Sequence, residues 1–486
     1  MEQLKFDFNN MFSFNVGPEH GVSEVELAQM SAQISQAHQH LHKIISDQRL
    51  RINLGLEWAR LPFQDQAVIK EIQRLGLQIA KKYENVLFLG IGGSYLGLKA
   101  AQDALKPPYY NEFVRQGPRI YFEGNNLDPD TLGVLLKKLN PKKTCVVVIS
   151  KSGETTETKA AFMVAEAWLK KTAGKKYGRQ IIVITDPDSG SLRKYARQKQ
   201  EEDALSFRSL SLLKGVGGRF SELNMGILHL AVMGVGIAEV LDGAKAMCER
   251  CSSPELFQNP AYLYASLQHI LYAQKRKSIA IVMPFSETLK STADWYVQLL
   301  AESLGKKYPR LIRVEDGIEK WQQDLARVIN LGRTPISARG TNDLHSIQQN
   351  NIEGENNKTI TFIKVENFKT EVKIPGSKDL LSGRKFSELI RLAQEATEWA
   401  LVRECRPNCA ITMPKVSPFH WGALLFFFEL ATAFEAELTN LNAFDQPGVE
   451  GYKNYMYYKL GKPGLSRQIS EEIKAHPLCK EKRFIL

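Results

Sequence analysis

A short apolar run followed by a loop of small residues recurs along this chain, and it constrains the fold more than any other feature. The first three runs are residues 86–89, 145–149 and 181–185. Apolar residues at helical spacing follow the first two loops. Similar runs at 278–285 and 359–365 predict strands of a second sheet. Strands that alternate with helices indicate mainly parallel sheets with helices on both faces, so we expect an α/β protein.

The predicted architecture is two α/β/α sandwich domains. We expect a helical N-terminal segment over 1–75, a smaller domain over 76–245, a larger domain over 246–450 and a C-terminal arm over 451–486. The segment 380–440 is also predicted to be helical. A chain of 486 residues has room for two or three domains of about 100–200 residues each.

The net charge of +11 bears on the class of partner. A basic excess favours nucleic acid, a membrane surface or an anionic small molecule. The basic residues are spread along the chain, and no basic stripe is interleaved with aromatic residues. We therefore expect a small anionic substrate, and no nucleic acid partner.

Two apolar stretches, 225–241 and 422–438, are candidates for membrane spans. Each is interrupted by charged residues or histidine and is shorter than the roughly 20 residues that a span requires. Both are predicted to be buried helices, with no membrane partner. The first ten residues lack the basic and apolar pattern of a signal peptide, so we expect a cytoplasmic protein.

The six cysteines include a CxxC at Cys248 and Cys251 and a CxxxC at Cys405 and Cys409. Such pairs occur in structural zinc sites. Neither pair has a Gly-rich knuckle around it, and a chain of this size needs no metal to stabilise its core. Reduced thiols in a cytosolic protein are the favoured interpretation, and no metal is expected.

Three histidines at His38, His40 and His42 are a second possible metal cluster. Only His38 and His42 share a helical face. With no carboxylate or thiol partner recognisable nearby, the segment is interpreted as a surface helix.

The strongest chemical signal is the segment that follows the run at 145–149. Five hydroxyl side chains and a glycine occur within nine residues, which include Ser150, Lys151, Ser152 and Thr155. Free N–H groups at a helix start, together with hydroxyl donors, bind anions such as a phosphate monoester. The alternative is ordinary helix capping, for which a single Ser or Thr suffices.

The loop after the run at 86–89 contains Gly90, Gly92, Gly93 and Ser94. It fails the dinucleotide fingerprint, because the third glycine of G-x-G-x-x-G would fall on Tyr95. The glycines allow a close approach of the backbone to a ligand, and Ser94 stands at a helix start. Tight packing of a strand against a helix is the alternative, and this motif alone does not decide between them.

These loops and four further motifs occur together in one known family. The chain resembles glucose-6-phosphate isomerases of the shorter bacterial branch, which have the sugar isomerase fold. The matching segments, in chain order, are 92–94 with 150–152, 216–221, 298–306, 340–345 and 444–453. Glu222 and Asn224 stand where the family usually has small residues, and Leu304 stands where a polar residue is common.

Aldose–ketose isomerisation needs a base that moves a proton between adjacent carbons, and a helix-end carboxylate such as Glu302 can supply it. The resemblance implies this role for Glu302, and ring opening by His345 and Lys453. A fixed cation at Arg219 would stabilise an enediolate. Gln298 lies one helical turn before Glu302 and is expected to bind sugar hydroxyls.

The resemblance also implies an enzyme without cofactors that acts on a sugar phosphate, and a homodimer in which the histidine of one subunit completes the site of the other. Two alternatives remain open. One is a non-catalytic regulatory protein that binds sugar phosphates, and the other is an isomerase that also accepts mannose 6-phosphate.

Overall fold

The computed structural model describes residues 2–113, 116–376 and 378–486. The chain divides into a first unit, Met1–Ala443, and a second unit, Phe444–Leu486. The strands are β1 (Lys5–Asp7), β2 (Asn85–Leu89), β3 (Arg119–Glu123), β4 (Thr144–Ile149), β5 (Ile181–Thr185), β6 (Arg208–Ser211), β7 (Ile279–Pro284), β8 (Arg310–Glu315), β9 (Ile318–Gln323), β10 (Thr334–Ser337), β11 (Lys358–Asn367) and β12 (Asn408–Lys415).

The helices of the first unit alternate with these strands. They are α1 (Ser13–Val16), α2 (Glu24–Gln29), α3 (Ser31–Ser46), α4 (Gln48–Leu54), α5 (Gln66–Lys82), α6 (Leu96–Leu105), α7 (Tyr110–Phe113), α8 (Pro129–Lys138), α9 (Thr156–Ala173), α10 (Ser191–Glu202), α11 (Glu222–Met225), α12 (Ile227–Val232), α13 (Ile237–Arg250), α14 (Pro260–Ala273), α15 (Lys290–Leu304), α16 (Gln348–Glu353), α17 (Phe386–Arg403) and α18 (Pro418–Leu438). The second unit contains α19 (Glu450–Lys459) and α20 (Arg467–Ala475).

The first five-stranded sheet has the strand order β3-β2-β4-β5-β6, and all its neighbouring strands are parallel. Every residue of β2, β4 and β5 is buried. This burial on both faces explains why the runs are continuously apolar rather than alternating. The three predicted strands are confirmed, and the loops that follow them meet at one edge of the sheet.

The second five-stranded sheet has the order β1-β12-β11-β7-β10, in which only β1 is antiparallel. The strands predicted at 278–285 and 359–365 are confirmed as β7 and β11, which pair directly. The prediction that 380–440 is wholly helical is wrong, because β12 lies between α17 and α18 and pairs with β11. Its short apolar stretch gains its hydrogen bonds from a partner strand that is distant in sequence.

Helix α18 is the centre of the first unit. It is buried along nearly its whole length, and Phe434 stacks on Tyr262 of α14 with ring centroids 3.7 Å apart. Phe428 packs 4.4 Å from the ring of Tyr296 on α15. The apolar stretches 225–241 and 422–438 are buried helices, as predicted. In the described ranges, no helix has the length and apolarity needed to cross a membrane.

The histidine helix α3 differs from its sequence-based interpretation. His40 lies between two carboxylates, with Nε2 2.8 Å from Glu319 and Nδ1 2.7 Å from Glu437. Hydrogen bonding to Glu437, which outweighs the effect of burial, raises the pKa of His40. The expectation of a surface helix without carboxylate partners is therefore wrong at this residue.

Candidate active site

Helix α15 positions the predicted base. Trp295 and Leu299 are fully buried, whereas the Glu302 side chain is 28% exposed near the end of the helix, before Gly305. The amide Nε2 of Gln298 donates to Glu302 Oε1 over 3.1 Å. The predicted shared face of these two side chains is confirmed.

Arg219 brings a buried positive charge to the same helix. Its side chain is 2% exposed. Nε donates to Ser303 Oγ at 2.9 Å, Nη1 donates to Glu302 Oε2 at 3.1 Å, and Nη2 donates to the carbonyl oxygen of Ala443. Because charged and geometrically fixed contacts of this kind are strong, the guanidinium holds one orientation beside the Glu302 carboxylate.

The glycine loop after β2 packs against the segment that carries Arg219. A Cβ on Gly93 would lie 1.6 Å from the carbonyl oxygen of Gly218, so only glycine permits this contact. Gly92 has a φ of +57°, and a Cβ there would lie 2.8 Å from Nε2 of Gln298. The backbone of this loop therefore lies close to protein atoms next to the site. Tight packing, the alternative to ligand contact, explains the glycine at position 93. The hydroxyl of Ser94 contacts Met225 Sδ at 3.3 Å.

In the hydroxyl-rich loop after β4, some of the hydroxyl groups form hydrogen bonds within the loop itself. Ser150 Oγ accepts from Gly153 N at 3.0 Å, and Ser152 Oγ accepts from Glu154 N at 3.1 Å. Thr158 is buried and donates to the carbonyl of Gly124.

Thr155 stands at the cap position of α9 but makes no side-chain capping bond. Helix capping therefore does not explain why a hydroxyl group is present at this position. The side chain of Ser152 is exposed. Lys151 has an exposed side chain, and its carbonyl accepts from Thr185 Oγ1 at 3.1 Å. These hydroxyls and the lysine are placed at the rim of the loop, where an anion has access to them.

His345 lies in a short 3₁₀ turn, Asn342–His345, and is exposed. The neighbouring Asp343 does not orient its imidazole. The Asp343 carboxylate instead accepts from Arg339 N at 2.8 Å and Ser346 Oγ at 3.0 Å. Within residues 2–113, 116–376 and 378–486, the imidazole makes no hydrogen bond or ion pair.

Lys453 belongs to the second unit. It lies on α19, and Nζ is 2.8 Å from Glu450 Oε1. Burial works to lower the pKa of Lys453, but the hydrogen bond and charge of Glu450 outweigh it and raise the pKa.

Several residues at the site were not singled out from the sequence. Lys306 is 6% exposed, and its Nζ donates to the backbone carbonyl of Glu302 at 2.8 Å. This bond provides a partner for a carbonyl group in the last turn of α15. The spacing of four residues between Lys306 and Glu302 is the signal that points to this lysine. Glu222 and Glu429 are each 2% exposed and interact with one another. No spacing rule connects two residues so far apart in the chain.

Burial raises the pKa of Glu222 to about 7, and burial together with the charge of Glu222 raises the pKa of Glu429 well above its usual range. Two carboxyl groups buried together cannot both ionise readily. Glu222 comes directly after Arg219-Phe220-Ser221 in the chain, at a position where the family usually has a small residue. In this chain the glutamate interacts with a second buried carboxyl group, Glu429 on α18.

Among the described residues, no group of three or more His, Cys, Asp or Glu side chains is arranged to hold a metal ion. All six cysteines are unpaired.

Two mainly parallel sheets, a hydroxyl-rich loop at a helix start and a carboxylate paired with a buried arginine define an α/β protein with a candidate site for an anionic ligand. Comparison with known proteins identifies the family to which the chain belongs. The family model described as phosphoglucose isomerase matches residues 70–474. The chain belongs to the phosphoglucose isomerase family.

Its relatives extend over nearly the whole chain. A glucose-6-phosphate isomerase of Carboxydothermus hydrogenoformans is 37% identical over 99% of each chain. One of Acetivibrio thermocellus is 32% identical over 96% of this chain and 98% of its own. Among solved structures, a hypothetical protein of Thermus thermophilus superposes with a TM-score of 0.78 at 30% identity, covering 94% of this chain and 100% of that one.

Proposed function

We infer that the chain interconverts D-glucose 6-phosphate and D-fructose 6-phosphate through a cis-enediol(ate), a reaction of glycolysis and gluconeogenesis. The observation that carries the proposal is the contact of Arg219 and Gln298 with the two carboxylate oxygens of Glu302. The membership of the family and the full-length likeness to enzymes of that name support it.

Each site residue has a proposed role. The loop residues Ser150, Lys151, Ser152 and Thr155, with Gly93 and Ser94, bind or shape the pocket for the phosphate. Glu302 takes the proton from C2 and returns it to C1. Since negative charge develops on the enediolate oxygens, a fixed cation beside them lowers the barrier, and Arg219 supplies it.

The remaining roles concern the sugar itself. Gln298 binds hydroxyl groups, while His345 and Lys453 open the ring by proton transfer at the ring oxygen and the C1 hydroxyl. Histidine suits this step because it both accepts and donates a proton near neutral pH. Proton transfer among these side chains requires no cofactor.

We also propose a homodimer in which His345 of one subunit serves the site of the other. Support comes from the exposure of His345 and from the absence of any hydrogen bond or ion pair of its imidazole within the described residues. A cytoplasmic location fits the six unpaired cysteines, since oxidising compartments favour disulfides. The domain limits 76–245 and 246–450 remain part of the proposal, and each range contains one of the two five-stranded sheets, apart from β1.

A coupled assay of the purified, chelator-treated protein tests the reaction. Glucose 6-phosphate should be converted at full rate after chelation, with exchange of solvent deuterium into C2. Mannose 6-phosphate in a parallel assay measures dual specificity. Binding of glucose 6-phosphate without turnover or exchange would instead identify a non-catalytic sugar-phosphate protein.

A further inference from the structure

Three cations meet at the amino ends of three neighbouring strands in the second five-stranded sheet. Lys277 precedes β7, Lys358 begins β11 and Arg406 precedes β12. Because these strands are parallel neighbours, their amino ends lie at the same edge. We call these three residues the amino-edge cluster. None of them belongs to the candidate active site.

Lys277 is the innermost member, with 0% exposure. Its Nζ donates to the carbonyl of Asn356 at 2.5 Å, to Asn356 Oδ1 at 2.8 Å and to His20 Nδ1 at 3.3 Å. All three acceptors are neutral, so the ammonium is hydrogen-bonded but its charge is not balanced. Burial, together with the neighbouring Arg406 and Lys358, lowers the pKa of Lys277 to about 8.

Arg406 has buried donors without acceptors. Both Nε and Nη1 are buried, and neither finds a hydrogen-bond partner in the described residues. Its positive charge also lowers the pKa values of His20 and Lys358, after burial as the larger cause. Buried N–H groups of a charged side chain are costly to leave unpaired, and this arginine has two.

The acidic residues nearby do not neutralise the cluster. Lys358 donates to the carbonyl of Glu355 at 2.8 Å and to Asn357 Oδ1 at 3.1 Å, which are both neutral oxygens. Glu19 and Glu355 are exposed. Within the described ranges, no carboxylate lies within 4.0 Å of any cluster nitrogen. The cluster therefore combines positive charge, partial burial and unused donors.

We propose that the amino-edge cluster binds a tetrahedral oxyanion, either inorganic phosphate or the phosphate group of a metabolite. Such an anion has enough acceptor oxygens for the unused donors of both Arg406 and Lys358. Its charge balances that of Lys277 behind them. Arg406 and Lys358 are each only partly buried as residues, and the anion reaches the covered Nε and Nη1 atoms when the Arg406 side chain turns outward, without unfolding of the chain.

Binding at this place should stabilise the N-terminal segment on the sheet. His20 contacts Lys277, and Lys275 donates to the carbonyl of Pro18 at 2.8 Å and pairs with Glu26 at 2.6 Å. The anion would neutralise the unbalanced charge of the cluster, which the segment contacts through His20. We therefore expect thermal stability to rise with phosphate concentration in a saturable manner.

The test must separate this site from the proposed substrate phosphate loop. The double variant Ser152→Ala, Thr155→Ala serves as the background, because it weakens phosphate binding at that loop. Arg406→Gln is added to it, with Arg403→Gln as the matched control, since Arg403 is an exposed arginine paired with Glu404. Lys358→Gln is a second cluster variant. Melting temperature and isothermal titration calorimetry are measured with sodium phosphate, with chloride adjusting the ionic strength to a constant value.

The background protein and the Arg403→Gln control should each bind one phosphate per chain and show the saturable rise in melting temperature. Both should be lost in Arg406→Gln and weakened at least several-fold in Lys358→Gln. In the otherwise unchanged enzyme, Arg406→Gln should leave kcat unaltered. A titration with glycerol phosphate identifies the source: tighter binding than inorganic phosphate indicates a metabolite, and weaker binding indicates the free ion. Undiminished phosphate binding in Arg406→Gln, or equal stabilisation by chloride alone, would overturn the proposal.

Discussion

Arg219 and Glu302 form an ion pair in which the arginine is buried and the glutamate is partly open, with Nη1 3.1 Å from Oε2. The same guanidinium also donates to Ser303 and to the carbonyl of Ala443. Three acceptors from two different segments therefore fix its plane. The base is placed next to a cation whose position does not depend on the substrate.

Arg219→Lys tests whether this fixed geometry matters beyond the charge. Lysine keeps the positive charge but lacks the planar set of donors that reaches three acceptors. We expect kcat to fall by about 10²-fold, in line with the loss of a preorganised donor to a developing negative charge. Steady-state kinetics with a melting curve measure the effect. A kcat within two-fold of wild type would remove Arg219 from the proposed role.

Glu302→Gln tests the base itself. The amide keeps the size of the side chain but cannot accept the C2 proton, and loss of a general base typically costs about 10²–10⁴ in rate. Exchange of solvent deuterium into C2 should disappear together with turnover, while sugar-phosphate binding persists. Glu287→Gln is the matched control, because Glu287 is a largely exposed glutamate just before the same helix. Wild-type exchange in Glu302→Gln would assign the base elsewhere.

Ser152→Ala combined with Thr155→Ala tests the phosphate loop. These hydroxyls would contact the phosphate in the ground state and the transition state alike, so their loss raises KM and spares kcat. Hydrogen bonds to a charged group are worth about 1.5–3 kcal/mol, and KM should rise by at least about ten-fold. Thr158→Ala is the comparison, since its buried hydroxyl donates to Gly124 and its loss should lower stability instead. A collapse of kcat at unchanged KM in the double variant would contradict the assignment.

Local patterns predict much of this site because its chemistry follows short-range geometry. Buried parallel strands are continuously apolar, which identified β2, β4 and β5. A spacing of four residues placed Gln298 beside Glu302. What the sequence does not show are contacts between distant segments, such as Gly93 against Gly218 or Glu222 with Glu429.

Strand β12 illustrates the same limit, since its hydrogen bonds come from β11, whose first residue is 50 positions earlier (408 − 358). Asp343 illustrates a different limit. Its carboxylate lies near a histidine in the chain, but backbone and hydroxyl donors of its own turn use its oxygens. Proximity in sequence does not determine which donor forms a hydrogen bond with a carboxylate.

The Glu222–Glu429 pair makes stability depend on pH. Burial raises the pKa of Glu222 from an ordinary 4.5 to about 7. Between these values the unfolded chain releases this proton while the folded chain keeps it, so stability falls as pH rises. The contribution is fully present below about pH 4.5 and is lost through about pH 7.

Glu222→Gln should remove the part of this dependence that Glu222 contributes. Denaturant unfolding of wild type and variant from pH 5 to 8 measures the difference between them, in which the titration of unrelated groups cancels. The free energy of unfolding of the variant, relative to that of wild type, should increase by a few kcal/mol as pH rises, since one pKa unit corresponds to about 1.4 kcal/mol. Parallel curves for the two proteins would show that Glu222 is ionised throughout this range.

Mixing two inactive variants tests the proposed shared site. Glu302→Gln and His345→Ala subunits are denatured together and refolded, and exchange between them is verified with a mass tag. Random association makes about half of the dimers mixed. If His345 serves the site of the other subunit, each mixed dimer contains one site with both residues intact and one with neither. Activity should then recover to about a quarter of the wild-type value, because half of the dimers each regain one of two sites. A site built within one chain would always lack one of the two residues, so a mixture that stays inactive after proven exchange places His345 and Glu302 in the same subunit's site.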